Sequence, residues 1–204
     1  MSSPVIIITG TPGTGKSTHA QLVANESPVP LRHINVGDLV KEKGLFEDYD
    51  EEWQSYTVDE DKLLLIFAIL IKLLDELEPI IAEGGVILDW HTCEIFPERW
   101  PDLVVVLRCE HSQLWDRLEK RPVFTATIQS LHEFTHPHRS YPLKKIQENN
   151  EAEIMQVVLE EARASYPPEI VVELKSESTE DLEANVARIV DWIQAWRKER
   201  GFES

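Results

Sequence analysis

The stretch Val5-Ile6-Ile7-Ile8-Thr9-Gly10-Thr11-Pro12-Gly13-Thr14-Gly15-Lys16-Ser17-Thr18 decides the fold. Its second half matches G-x-x-x-x-G-K-S/T without a mismatch, and its first half is an apolar run of the length of one buried strand. His19-Ala20-Gln21-Leu22-Val23-Ala24 continues it as a helix, which puts the motif in a strand, loop, helix context. In that context the glycines let successive backbone N–H groups turn inward around phosphate oxygens, and the helix directs its positive end at the same anion. The pattern therefore predicts that the backbone and side chains of Gly13, Thr14, Gly15, Lys16, Ser17 and Thr18 hold the phosphates of ATP. Lys16 bridges the terminal phosphates, Ser17 places its hydroxyl on Mg²⁺, and Thr18 adds a contact at the first helical turn. A Gly-rich turn that binds nothing would need neither the lysine nor the serine.

The chain has 204 residues, a length that fits one α/β domain with small inserted lobes. Its net charge of −17, from 37 acidic against 20 basic residues, repels nucleic-acid phosphates and suits a basic protein partner. Only Cys93 and Cys109 occur, without a metal-ligand spacing, so no disulfide is expected and the simple reading is a reducing intracellular compartment.

Outward from the loop, Pro28-Val29-Pro30 breaks the chain and Leu31 to Val36 reads as a second strand. Asp38 to Lys43 starts a helix with Asp38 as its cap, and Glu47 to Asp61 reads as irregular. Leu63 to Ile71 is the most hydrophobic window, bracketed by Lys62 and Lys72. A membrane helix needs roughly 20 apolar residues, so this is a lobe helix, buried or presenting a sticky face, with Pro79 as a place for a kink. Val86-Ile87-Leu88 and Leu103 to Arg108 are two further strands, apolar throughout as in a parallel sheet covered on both faces. Ser112 to Arg121 and Lys144 to Arg163 have helical spacing, Ile170 to Leu174 is a fifth strand, and Thr179 to Gly201 is the last helix. Trp192 and Trp196 fall in that helix's apolar stripe and read as packing groups. His132, His136 and His138 lack a completing Cys or carboxylate and read as surface histidines.

A carboxylate just after an apolar strand is where phosphate-loop enzymes hold Mg²⁺, usually through water, which makes Asp89 the second metal residue beside Ser17. A turn-capping Asp is the plainer alternative. His91 lies two residues on. If the backbone stays extended its side chain points the same way as Asp89, where it orients a water or touches a phosphate; a half-buried, hydrogen-bonded imidazole is the other reading.

Gly10 to Thr18, Ile34-Asn35-Val36-Gly37-Asp38, Tyr49-Asp50-Glu51-Glu52, Val58-Asp59-Glu60-Asp61, Asp89-Trp90-His91 and Phe96-Pro97-Glu98-Arg99-Trp100 together resemble the nuclear adenylate kinase isoenzyme 6 family. Lys145-Ile146-Gln147-Glu148-Asn149 and Glu153 to Val158 are similar to that family's helix after the lid, so the likeness covers nearly the whole chain. It implies a P-loop nucleoside-kinase fold over 1–204, with a five-stranded parallel sheet flanked by helices, an AMP-binding lobe at 33–78 and a lid region at 121–145. It also implies adenylate kinase and ATPase activities, and a role in maturing the small ribosomal subunit. The partners implied are a basic ribosomal protein and the pre-ribosomal particle, in the nucleus and cytoplasm. Asp38 and Lys41 become the substrate-side residues, with Lys41 approaching AMP. A lid arginine should neutralise the transferring group, and Arg121 and Arg139 compete for that role. Arg99 is the structural alternative, bonding Glu98 or a carbonyl.

The chain departs from the family pattern by interposing roughly Leu63 to Lys72 and roughly Pro122 to Arg139, either native elaborations or mis-predicted coding sequence. It also carries Ser178 where some relatives have a basic residue near the adenine. The reading is thus Mg²⁺-assisted transfer from ATP to AMP, with Lys16, Asp89, His91 and a lid arginine at the reacting phosphate. A kinase for another small acceptor and an ATP-switched assembly factor are the alternatives, because a phosphate loop does not specify what receives the phosphate.

Overall fold

Five short strands, all parallel, lie in the order β2-β3-β1-β4-β5, with helices on both faces. The structure, a computed structural model, describes residues 3–43, 60–120 and 142–202, with the backbone alone for Lys41 and 60–67. β1 (Val5–Gly10) occupies the centre, between β3 (Val86–Asp89) and β4 (Leu103–Arg108), and every residue of β1 is buried. That is why these strands are continuous apolar runs: both faces are covered, so alternation has no use. Ile6, Ile8, Ile87, Val105 and Leu107 pack on one face against α1 (Lys16–Glu26) and α7 (Thr179–Glu199). Val5, Ile7, Leu88, Val104 and Val106 pack on the other against α3 (Glu60–Glu83) and α6 (Val157–Ser165).

Ser178 caps α7 through a reciprocal capping box with Asp181, two orphan donors satisfied at once. Trp196 is buried in that helix, and its indole N–H donates to Asp102 at 3.2 Å, so it packs as its spacing predicts. Tyr166 closes the far end of the core, its hydroxyl donating to the carbonyls of Cys93 at 2.5 Å and Phe96 at 3.0 Å. Both cysteines are buried and free, and burial raises the Cys93 thiol to about 12, so it stays protonated. No described helix is long and apolar enough to cross a membrane.

Several expectations need correction. β2 is Arg32–Asn35, and α2 (Val36–Glu42) follows without a loop. The helix begins before Asp38, and it is Asn35 whose side-chain oxygen accepts from the Asp38 N–H at 3.0 Å, the bond of a helix cap. Asp38 is thus a first-turn acid rather than the cap. The helix expected at 144–163 is two, α5 (Leu143–Ile154) and α6, broken where Gln156 takes φ 58°. The apolar period continues across the break, which hides it from a sequence reading. β5 (Val171–Lys175) starts one residue late because Pro168–Ile170 forms a 3₁₀ turn. α3 runs through Pro79, and Leu63 to Lys72 lies inside it; of its described side chains Ile69 and Leu70 are half-buried and Ile71 is exposed, the sticky-face reading. Arg99 pairs with Glu78 at 2.7 Å rather than with Glu98. The stretch 47–59, the three histidines at 132, 136 and 138, and the second interposed segment lie outside the described residues.

Candidate active site

At the carboxyl end of β1 the chain must reverse into α1 within five residues while passing close to β4. Gly10 has φ 145°, and a Cβ there would lie 2.5 Å from the Leu107 carbonyl oxygen, so no other residue fits. The loop is then held by its own groups. The Thr11 carbonyl accepts from the Thr14 N–H at 3.2 Å, the Thr14 hydroxyl at 2.9 Å and the Lys16 ammonium at 3.2 Å. Lys16 Nζ also donates to the Gly10 carbonyl at 2.7 Å, which keeps the ammonium at the mouth of the loop. Thr14 is buried and its hydroxyl and amide both serve the turn, whereas Ser17 and Thr18 are exposed at the first turn of α1.

Parallel pairing sets Asp89 beside the loop, since Ile8 registers with Asp89 and Asn35 registers with Asp89 on its other side. Asp89 is 2% exposed, and its Oδ2 collects three donors: the Ser17 hydroxyl at 2.5 Å, the Asn35 amide at 2.8 Å and His33 Nε2 at 3.4 Å. Burial pushes the carboxyl up, but the bonds from His33 and Ser17 and the Lys16 charge outweigh it and hold Asp89 below its ordinary value. It is therefore ionised at neutral pH. An ionised carboxylate touching a serine hydroxyl, both at a phosphate loop, is the hard-oxygen donor set that Mg²⁺ takes when the rest of its shell is phosphate and water. Among the described residues no cluster of three or more His, Cys, Asp or Glu side chains could hold a metal unaided. The protein thus fits a metal that arrives with the nucleotide.

Asn35 and His33 were missed as site residues. Their signal was the alternation Arg32-His33-Ile34-Asn35, which places both on one face of a strand beside Asp89. His91 is brought to the same cavity, but not in the way expected: β3 ends at Asp89, so the extended run to His91 does not exist. The imidazole is exposed at the rim, 4.2 Å between ring centroids from Trp90, and partial burial and the Lys16 charge lower its pKa.

A cavity of about 620 Å³ is lined by Lys16, Ser17, Thr18, Asn35, Asp38, Asp89 and His91. A second, of about 490 Å³, shares Gly13, Gly15 and Thr18 with it and extends past Arg117 to Ser176 through Thr179. Arg117 anchors that side, its guanidinium donating to the carbonyls of Ser176 and Glu177 at 2.8 Å each. His19, two residues after Ser17 in α1, donates from Nδ1 to the Gly15 carbonyl at 2.9 Å and accepts at Nε2 from Asn185 at 3.3 Å. Burial lowers its pKa, with the Gly15 bond opposing and the Arg117 charge assisting, so it is neutral. A larger cavity, about 980 Å³, lies between Trp192 and the residues preceding β4 and β5, away from all of these groups. Lys41 belongs to α2, whose Gly37 and Asp38 line the first cavity; its side chain lies outside the described atoms, and Arg121 and Arg139 lie outside the described residues.

A phosphate loop after a central parallel strand, with a carboxylate at the end of the neighbouring one, defines the P-loop kinase fold. Two solved structures share it over nearly their whole length. Shikimate kinase from Bacteroides thetaiotaomicron gives a TM-score of 0.54 at 15% identity, covering 94% of this chain and 98% of that one. Thymidylate kinase from Candida albicans gives 0.51 at 15%, covering 93% and 91%. The family model described as AAA domain matches residues 6–134. The chain is 51% identical over 195 residues to the adenylate kinase isoenzyme 6 homolog of Schizosaccharomyces pombe, covering 96% of this chain and 94% of the relative. It is 44% identical to the homolog FAP7 of Saccharomyces cerevisiae, covering 95% and 83%. The chain belongs to the adenylate kinase isoenzyme 6 family.

Proposed function

We propose that the protein transfers the terminal phosphoryl group of ATP to AMP, giving two ADP, and that water takes the acceptor's place when AMP is absent. The observation that carries this is the phosphate loop standing between two adjoining cavities, each of nucleotide size. Transfer breaks the bond from the terminal phosphorus to the bridging oxygen of ATP and forms one to a phosphate oxygen of AMP, so catalysis is positioning and charge neutralisation. The base of ATP takes the cavity beside Arg117 and Ser178, and the loop amides with Lys16 take its phosphates. AMP enters the other cavity past Asp38, with Lys41 on the same helix. Ser17 and Asp89 are the residues that would hold Mg²⁺, which when bound would neutralise phosphate charge. Asn35 and His33 orient the Asp89 carboxylate, and His91 at the rim orients the attacking water. A lid arginine, Arg121 or Arg139, completes the charge balance. The test is ADP formation from ATP with AMP, with other nucleoside monophosphates and with water alone. AMP should give the highest rate; equal turnover with and without it would remove the kinase reading, and a faster monophosphate would change the acceptor.

The charge of −17 favours a second reading alongside this one. The protein binds a basic small-subunit ribosomal protein in the pre-ribosomal particle, in nucleus and cytoplasm, and ATP hydrolysis releases it. Opposite charge speeds such an encounter and makes it salt-sensitive. Binding to the isolated ribosomal protein should weaken steeply with salt and change with nucleotide state; affinity indifferent to both would remove this reading.

A further inference from the structure

A carboxylate taken fully out of water is costly and persists only where donors surround it. Glu153, in the last turn of α5, is 3% exposed. Its Oε1 accepts from Arg108 Nε at 2.5 Å and from the Cys109 N–H at 3.1 Å, and Arg108 Nη2 also donates to the Glu153 carbonyl at 3.0 Å. Those bonds alone would tie α5 to the end of β4. Oε2, however, is turned the other way, onto the hydroxyl of Thr11, the second residue of the phosphate loop and itself buried.

Thr11 is thereby held at both ends. Its side chain donates to Glu153, and its carbonyl gathers the Thr14 amide, the Thr14 hydroxyl and the Lys16 ammonium. A side chain fixed at a buried anchor fixes the residue's backbone, and the direction of that carbonyl sets both the tightness of the turn and the resting place of Lys16. Nothing in the loop itself supplies this anchor; it comes from 142 residues away.

The structure assigns Glu153 as a positioning residue for ATP binding: through the Thr11 hydroxyl it presets the first half of the phosphate loop and the Lys16 ammonium. The assignment rests on the reading that the loop holds ATP. It says that the buried carboxylate serves binding as well as packing, and that the hydroxyl at position 11, not merely a small residue, is required.

The experiment compares Thr11→Val, which keeps the shape and loses the hydroxyl, with Thr11→Ser, which keeps the hydroxyl. Calorimetric binding of MgATP to the full chain and hydrogen exchange of the Thr14 amide without nucleotide are read for each. Losing one hydrogen bond to a charged group should raise the Kd for ATP about tenfold in Thr11→Val. The Thr14 amide, bonded to the Thr11 carbonyl, should exchange faster by a similar factor. The KM for ATP should rise with it while that for AMP stays put, and Thr11→Ser should restore both readouts. Should Thr11→Val not fold, Thr11→Ala decides on the same readouts, because it too removes the hydroxyl and adds no atom beside Glu153. A folded variant of either kind with wild-type Kd and wild-type exchange overturns the assignment and leaves Glu153 as an anchor of α5 alone. If the wild type binds no ATP while Thr14 exchange still answers to the Thr11 hydroxyl, the positioning stands and the nucleotide reading falls.

Discussion

Replacing Asp89 by Asn separates what this residue does for the fold from what it does for the chemistry. Three donors converge on one oxygen, the Ser17 hydroxyl at 2.5 Å, the Asn35 amide at 2.8 Å and His33 at 3.4 Å, and the Asn amide oxygen can accept all three in the same place. What disappears is charge assistance, about 1 kcal/mol for each of the two short bonds. The neutral amide costs less to bury than the carboxylate, so the two effects oppose and the net change is about 1 kcal/mol, a shift of roughly 2–4 °C in Tm. Activity responds differently, because an amide is a poor partner for a hydrated divalent cation. Losing one preorganised electrostatic group should lower kcat/KM by about 100- to 1000-fold, roughly 3–4 kcal/mol, and raise the Mg²⁺ concentration needed for half-maximal ADP formation. The pH dependence has a definite sign. A carboxyl held below its ordinary value of 3.8 contributes stability that is in place above that value and is lost as pH falls through the lower, folded one. The difference in unfolding free energy between wild type and Asp89→Asn should therefore be constant from pH 7 to about 5 and shift against the wild type in stronger acid. Mg²⁺ titrations of ADP formation and urea unfolding across that range measure both. A variant with near wild-type kcat/KM and an unchanged Mg²⁺ midpoint would refute the metal role, and a fall in Tm above about 10 °C would mean that the carboxylate is structural.

Lys16→Ala should abolish both transfer to AMP and hydrolysis while changing stability by no more than about 1 kcal/mol, since its ammonium donates to carbonyls of its own loop, Gly10 and Thr11, and has no part in the apolar core. Turnover that survives would overturn the site. His91→Ala should lower the rate of hydrolysis more than the rate of transfer to AMP, because an acceptor phosphate is held by its own lobe whereas water needs a group to orient it; equal losses in single-turnover assays would assign His91 to the whole site. Since burial and Lys16 depress the pKa of that imidazole, hydrolysis should be flat above the depressed value and fall only in acid, where the ring charges. Asn35→Ala removes a helix cap and a bond to Asp89 together, and should cost about 1–3 kcal/mol in urea unfolding. A loss no larger than a few tenths would show that α2 finds another cap.

The centre of the molecule was legible in the sequence because one force writes it. β1, β3 and β4 are covered on both faces, so their runs of Ile, Leu and Val need no partner to be recognised, and the loop between β1 and α1 carries its own signature of glycines, lysine and serine. The position of Asp89 is legible for the same reason, as the first carboxylate after such a run, and the structure sets it against Ser17. The periphery was not, because local signals there compete. Asn35 and Asp38 are both good helix caps, and what selects Asn35 is the neighbouring strand, whose Asp89 engages its amide and leaves its oxygen to face the helix. The break at Gln156 is a non-glycine residue in the left-handed region, with the apolar stripe continuing through Val158 and Leu159 on its far side. A period-counting argument sees one helix there. The bond between Thr11 and Glu153 lies further out of reach still, since only the folded chain joins positions so far apart.

Asn35 shows why the site and the fold cannot be tuned independently on the β2 side. Its oxygen starts α2, the helix whose Gly37 and Asp38 line the cavity of about 620 Å³, and its nitrogen holds the carboxylate that faces Ser17. One amide therefore fixes the separation between α2 and the Asp89–Ser17 pair, and it does so with the two ends of a rigid planar group. Any movement of α2 toward or away from the phosphate loop must pull on Asp89. The same holds in reverse: a change at Asp89 that alters its hold on Asn35 shifts the start of α2. Substitutions at these two positions should therefore fail to add, the double variant costing less in kcat/KM than the sum of the singles, whereas Asn35 and the more distant Arg117 should combine additively. Additive losses at Asn35 and Asp89 would separate the helix cap from the Asp89–Ser17 pair and remove this coupling.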